Sequence, residues 1–160
     1  MDRVNQILYH KQFLECVKQN EKWEQDRIFC KHGIEHFLDV ARIAYIKVLE
    51  QSIGVKKDII YAAALLHDIG KHMQYEKGIP HEIASAQLAQ SILEDCGYEE
   101  LEREWIIEMI RSHRTKPSEQ TSPIVALFYE ADKESRLCLF CQAKEACHWS
   151  EEKKNSLCLL

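Results

Sequence analysis

In Ile59-Ile60-Tyr61-Ala62-Ala63-Ala64-Leu65-Leu66-His67-Asp68-Ile69-Gly70-Lys71 an apolar helix-forming run, residues 59–66, leads into two adjacent side chains of metal-ligand type, His67 and Asp68. The run is apolar around almost its full circumference, so other helices must surround it. His67 and Asp68 therefore emerge at the centre of whatever bundle forms. An imidazole and an ionised carboxylate in that position require compensation, and a metal ion is the usual compensating partner.

Outward from this run, helical spacing dominates the chain and no stretch alternates strictly enough to make a strand. The expected class is all-α, a bundle of about six to seven helices in a single domain over residues 1–160. The spacing predicts helices over Val4–Gln19, His32–Gln51, Lys56–His67, Glu82–Asp95, Tyr98–Ser112 and Ser122–Arg136, with a shorter one towards the C-terminus. Gly54, Gly70, Gly78-Ile79-Pro80, Gly97 and Lys116-Pro117-Ser118 supply the breaks, through the φ freedom of glycine or the missing donor of proline.

Length and composition bound the function. A chain of 160 residues can bury a core without disulfides, and its apolar share of 46% and charged share of 29% are those of a globular protein. No apolar run approaches the roughly 18 residues needed to span a bilayer, and the N-terminus lacks a basic segment followed by an apolar one. The expected location is the cytoplasm, without membrane partners. Seven cysteines form an odd set, which in that compartment reads as reduced thiols or metal ligands. A formal charge of −5 argues against binding of nucleic-acid polymers, which need clustered positive charge. Oligomeric state is open.

Further ligands should be His, Asp or Glu side chains that continue buried apolar stripes. His36, Val40 and Ala44 follow at four-residue intervals beside Phe37, Ala41 and Val48, which places His36 inward. His81 precedes Ala84, Ser85, Leu88 and Ile92 on one stripe, with Pro80 opening the helix. Leu101, Trp105, Met109 and Ile110 lead to His113, and Val125, Phe128 and Tyr129 lead to Asp132. A single histidine on an apolar face is more often a hydrogen-bonded core residue than a ligand. Six ionisable groups together would each cost roughly 1–3 kcal/mol if left unpaired, which favours one shared metal site. Four imidazoles and two carboxylates without a thiolate suit iron or manganese better than a closed zinc site. Six donors exceed the need of one open ion; two ions about 3.5–4 Å apart, with Asp68 bridging, would use them all.

These residues resemble the series of the HD superfamily of metal-dependent phosphohydrolases: a His, a His-Asp pair and a later Asp. His36-Phe37-Leu38-Asp39-Val40-Ala41-Arg42 is similar to the first motif, Leu65-Leu66-His67-Asp68-Ile69-Gly70-Lys71 to the second and Glu130-Ala131-Asp132-Lys133 to the last. The similarity runs from about Ile28 to Arg136. His81 in Gly78-Ile79-Pro80-His81-Glu82 and His113 in Ser112-His113-Arg114 resemble the binuclear branch, which includes bacterial hydrolases of symmetrical dinucleoside tetraphosphates. That likeness is one of ligand spacing, and a substrate does not follow from it.

The resemblance implies hydrolysis of a nucleotide or other small phosphorylated metabolite through a metal-activated hydroxide, with two divalent ions, iron or manganese. Asp68 and Lys71 are then the candidate catalytic residues. Lys71, Arg114 and His32 are candidate substrate contacts, and Lys116 is more readily read as solvated surface. Two other readings stay open. One is a mononuclear nucleotidase using only His36, His67, Asp68 and Asp132. The other is a non-catalytic nucleotide-binding regulatory module.

Cys138-x2-Cys141-x5-Cys147-His148 has the close spacing of a zinc hook. His148 is a poor fourth donor beside Cys147, because adjacent side chains diverge. Cys158 is one alternative. Cys30 is the other, since its segment and the one after Asp132 should meet near the metal core. The set Cys30, Cys138, Cys141 and Cys147 is thus a candidate second, structural metal site for zinc or an iron–sulfur cluster. Set against it is the reading of these cysteines as small buried hydrophobes. Cys16 and Cys96 read as core, His72 lies on no clear stripe, and His10 is unassigned.

Overall fold

The computed structural model describes residues 1–156, so Cys158 lies outside the described residues. It is all-α. The order is α1 (Asp2–Tyr9), α2 (Lys11–Trp23), α3 (Ile34–Glu50), α4 (Lys57–Leu66), α5 (Lys71–Lys77), α6 (His81–Asp95), α7 (Glu100–Ser112) and α8 (Pro123–Glu134), then 3-10 turns at Cys138–Phe140 and Glu151–Lys153. No helix among the described residues is long and apolar enough to cross a membrane.

α4 is the axis. Its residues Ile59, Ile60, Ala62, Ala63, Ala64, Leu65 and Leu66 are all buried, packed by α3, α7, α1 and α6. α8 lies against α3 and α7. The run that is apolar almost all round thus lies among four other helices.

Three local readings change. The first expected helix divides at His10, whose extended ψ of 130° caps α1 and opens α2; its Nε2 stands 3.1 Å from Asp95 Oδ2. A short helix, α5, follows the His-Asp turn directly, begins at Lys71 and ends on left-handed Gly78 (φ 69°). Gly70 has an ordinary φ of −83°, so space, not φ freedom, demands a glycine: a Cβ there would lie 2.5 Å from the Ser85 nitrogen and 2.7 Å from Ala84 Cβ. The Gly70 amide donates to Ser85 Oγ at 2.9 Å, closing the start of α5 onto α6.

The buried face of α7 also differs from expectation. Leu101 and Trp105 are exposed, while Glu102, Ile106, Met109 and Ile110 are buried. Glu102 turns inward because Arg3 of α1 and Lys56 before α4 both bind its carboxylate. His113 still ends the inward stripe, through Ile106, Met109 and Ile110.

Candidate metal centre

The six stripe-ending side chains converge at helix ends. His36 comes from the first turn of α3, His67 caps α4 and Asp68 follows it, His81 opens α6 behind Pro80, His113 caps α7, and Asp132 sits in the last turn of α8. All six are buried, His67 completely. They form two groups whose ligand atoms lie within 4.8 Å of one another: His36, His67, Asp68 and Asp132, and then Asp68, His81 and His113.

Asp68 belongs to both groups and divides its oxygens between them. Oδ2 stands 3.2 Å from His67 Nε2 and 3.6 Å from His36 Nε2. Oδ1 stands 3.0 Å from His81 Nε2 and 3.5 Å from His113 Nε2. Asp132 Oδ1 completes the first group, 3.2 Å from His36 Nε2. One carboxylate with an oxygen on each side is the arrangement a bridging ligand requires.

The surroundings fix the imidazole tautomers. His67 Nδ1 donates to the Ala64 carbonyl at 2.7 Å and His113 Nδ1 to the Ile110 carbonyl at 2.6 Å. His81 Nδ1 donates to Gln74 Oε1. Ser135 Oγ donates to the Asp132 carbonyl at 2.7 Å, which leaves it to accept from His36 Nδ1 at 3.1 Å. All four rings therefore turn Nε2 to the centre, as histidine ligands held by outer partners do.

Two features show that the donor set fits a cation. Asp68 Oδ1 and Asp132 Oδ1 are buried and accept no hydrogen bond, a costly state for a carboxylate oxygen unless something positive faces it. His81 and His113 bring Nε2 atoms to 3.1 Å with both ring protons committed to Nδ1, so two lone pairs converge on one point. Charge follows the same logic. Burial would raise Asp68 and Asp132, yet the imidazoles around them hold both well below the usual carboxylate range.

The candidate substrate contacts are placed unequally. Lys71 is largely buried, its Nζ 3.2 Å from His81 Nδ1, and burial pulls its ammonium below the usual lysine range. His32 is held by Glu24, which accepts from its backbone amide at 2.6 Å and from its ring; Tyr75 Oη donates to the same carboxylate at 2.6 Å. His32 Nε2 then points to Asp68 Oδ2, 3.9 Å away. Arg114 reaches the rim, half-exposed and 3.3 Å from Glu82. Lys116 is exposed surface.

Sequence reasoning missed several parts. A cavity of about 630 Å³ opens over the two groups, and its lining includes Lys133, Arg136, Trp149 and Lys153 as well as Lys71 and Arg114. Lys133 Nζ contacts Asp132 and donates to the His113 carbonyl at 3.2 Å. Arg136 Nη2 donates to His36 Nε2 at 3.0 Å. Asn155 Nδ2 donates to the Lys133 and Arg136 carbonyls at 2.7 and 2.9 Å, tying the tail over α8. Buried Asn20 of α2 donates to the Asp68 carbonyl at 2.9 Å and accepts the His72 amide at 2.8 Å, holding the His-Asp turn.

The four cysteines of the second candidate site also come together. Cys30, Cys138, Cys141 and Cys147 line one smaller cavity next to the metal centre, although no three of their sulfurs lie mutually within 4.8 Å. Cys16 and Cys96 are buried in the core, as expected.

A helical bundle that gathers a His, a His-Asp pair and a later Asp around one buried point defines a class of metal-binding domain. The chain belongs to the HD-domain family, whose model matches residues 33–137. It is 50% identical over 155 residues to an uncharacterized protein of Clostridium beijerinckii, covering 97% of each. It is also 31% identical over 119 residues to ribonuclease Y of Mycoplasma mycoides, a match over 74% of this chain and 26% of that relative. The chain thus spans about a quarter of the ribonuclease. Among solved structures, a predicted HD superfamily hydrolase from an uncultured Thermotogales bacterium superposes with a TM-score of 0.65 at 21% identity, over 92% of this chain and 82% of that one, a likeness of fold.

Proposed function

We propose that the chain is a metal-dependent phosphohydrolase acting on a nucleotide or other small phosphorylated metabolite, with two divalent ions, iron or manganese. The observation that carries this reading is the division of Asp68, one oxygen toward each ligand group. His36, His67, Asp68 and Asp132 would hold one ion, and Asp68, His81 and His113 the other. When bound, such a pair supplies a water of lowered pKa and positive charge for the phosphoryl oxygens.

The chain's own residues do the rest. Lys71 at the start of α5, Lys133 and Arg136 at the end of α8 and just beyond it, and Lys153 of the tail bring cations to the cavity wall, where they can hold phosphate oxygens by charge-assisted hydrogen bonds. Trp149 and Tyr129 line the same space and offer apolar surface to a base or similar group. Glu24 fixes the ring of His32, so that its Nε2 meets a ligand in one orientation. The tail, with Trp149, Glu152, Lys153 and Asn155 on the wall, narrows the opening in favour of a small ligand. The ribonuclease Y likeness makes a phosphodiester in RNA the competing substrate.

The test is a screen of phosphorylated metabolites and short oligoribonucleotides with added manganese or ferrous iron. Turnover of a small phosphorylated compound that disappears in Asp68→Ala is expected. Turnover of oligoribonucleotides alone, or activity indifferent to Asp68→Ala, contradicts the reading.

A further inference from the structure

The smaller cavity beside the metal centre carries an inference independent of the function proposed above. Its volume is about 140 Å³, roughly ten times what one water needs. Cys30 reaches it from the loop before α3, and Cys138, Cys141 and Cys147 from the segment after α8. Each is a free thiol. Four cysteines from two distant segments meeting at one cavity is more than packing of small hydrophobes requires.

Spacing decides what the thiols would hold. Zinc at about 2.3 Å from each of four tetrahedral sulfurs keeps all of them close together. Here no three sulfurs lie mutually within 4.8 Å. A cuboidal iron–sulfur cluster places its four cysteine sulfurs at the corners of a larger tetrahedron, around a core that itself occupies space. The lining agrees in charge. Arg27, Arg136, Lys144 and Lys154 are on the wall and, among the described residues, no carboxylate is, as suits four thiolates and an anionic cluster. Phe29 and Trp149 supply apolar cover.

We infer that Cys30, Cys138, Cys141 and Cys147 bind a [4Fe–4S] cluster that fastens the C-terminal tail to the loop before α3. The cluster has a consequence for the neighbouring site. His32, Arg136, His148 and Trp149 line both cavities, so the same fastening sets one wall of the larger pocket.

The experiment uses the full chain, purified without oxygen and reconstituted with equal amounts of ferrous and ferric iron and with sulfide, which together supply the two ferrous and two ferric ions of a cluster that dithionite can reduce. The expected result is about four iron and about four acid-labile sulfide per chain above the content of the HD centre, with broad visible absorption that dithionite bleaches. Cys30→Ser and Cys141→Ser should each lose the sulfide and the absorption, while Asp68→Ala, which disables the other centre, keeps both. Labile sulfide is read on the unaltered chain, so a variant that fails to fold does not obscure the result. One zinc per chain without labile sulfide overturns the proposal. So does a reconstituted chain that carries no sulfide, or one whose sulfide survives both serine substitutions.

Discussion

At the scale of single residues, the centre depends on side chains that serve two neighbours at once. Asp68 shows this most plainly, and its position at the end of an all-apolar run was legible in the sequence. The five side chains that converge with it were legible too, because a buried polar residue must continue an apolar stripe to reach the interior. The same rule would have found Asn20, which follows Phe13 and Cys16 on the buried face of α2. It would not have found Lys133, whose contact with Asp132 comes from an adjacent position on α8 rather than from a stripe. Gly70 was legible as a break but not for its reason, since a close approach between α5 and α6 has no local sequence signature. Gly70→Ala should push a methyl against the backbone of Ser85; such overpacking costs roughly 1–3 kcal/mol, read as a lower urea midpoint at unchanged slope.

At the scale of elements, α4 carries the bundle, and its run of buried side chains fixes where His67 and Asp68 stand. Leu66 is fully buried one residue before the pair. Leu66→Ala should therefore cost about 2–5 kcal/mol of stability and loosen metal binding as well, measured by chemical denaturation with and without manganese. A manganese-dependent gain in stability equal to that of the unaltered chain would uncouple α4 packing from the centre. The helices that were legible are the amphipathic ones and α4, which is apolar almost all round. α5, with its sequence Lys71-His72-Met73-Gln74-Tyr75-Glu76-Lys77, contains no buried residue and so offers no periodic signal. The segment after α8 is likewise short turns and loop, which is why its lining of the larger cavity could not be read from pattern, whereas its cysteine spacing pointed to the smaller one.

At the scale of the whole molecule, one ion-pair junction ties three helices together away from the centre. Arg3 of α1 bonds Asp58 of α4 and Glu102 of α7, and Lys56 joins Glu102 at 2.9 Å. The hydrogen bond from Arg3 outweighs burial and holds Glu102 at about 2, well below the ordinary value near 4.3. A carboxyl whose folded-state pKa is depressed stabilises fully above its unfolded value, and that contribution is lost as pH falls from about 4.3 toward 2. Glu102→Gln should accordingly flatten the acid limb of the stability curve in that window, seen as melting temperatures that converge with those of the unaltered chain at the acid end. An unchanged acid limb would show that the junction contributes nothing there.

In the proposed centre two ions share Asp68, one on each carboxylate oxygen. The most direct measurement strips the chain with chelator, reloads it with manganese, which does not report on a thiolate-held cluster, and counts ions by elemental analysis in the unaltered protein and in His81→Ala. About two manganese per chain, falling to about one when His81 is removed, is the predicted result. One manganese per chain that His81→Ala leaves unchanged would contradict it.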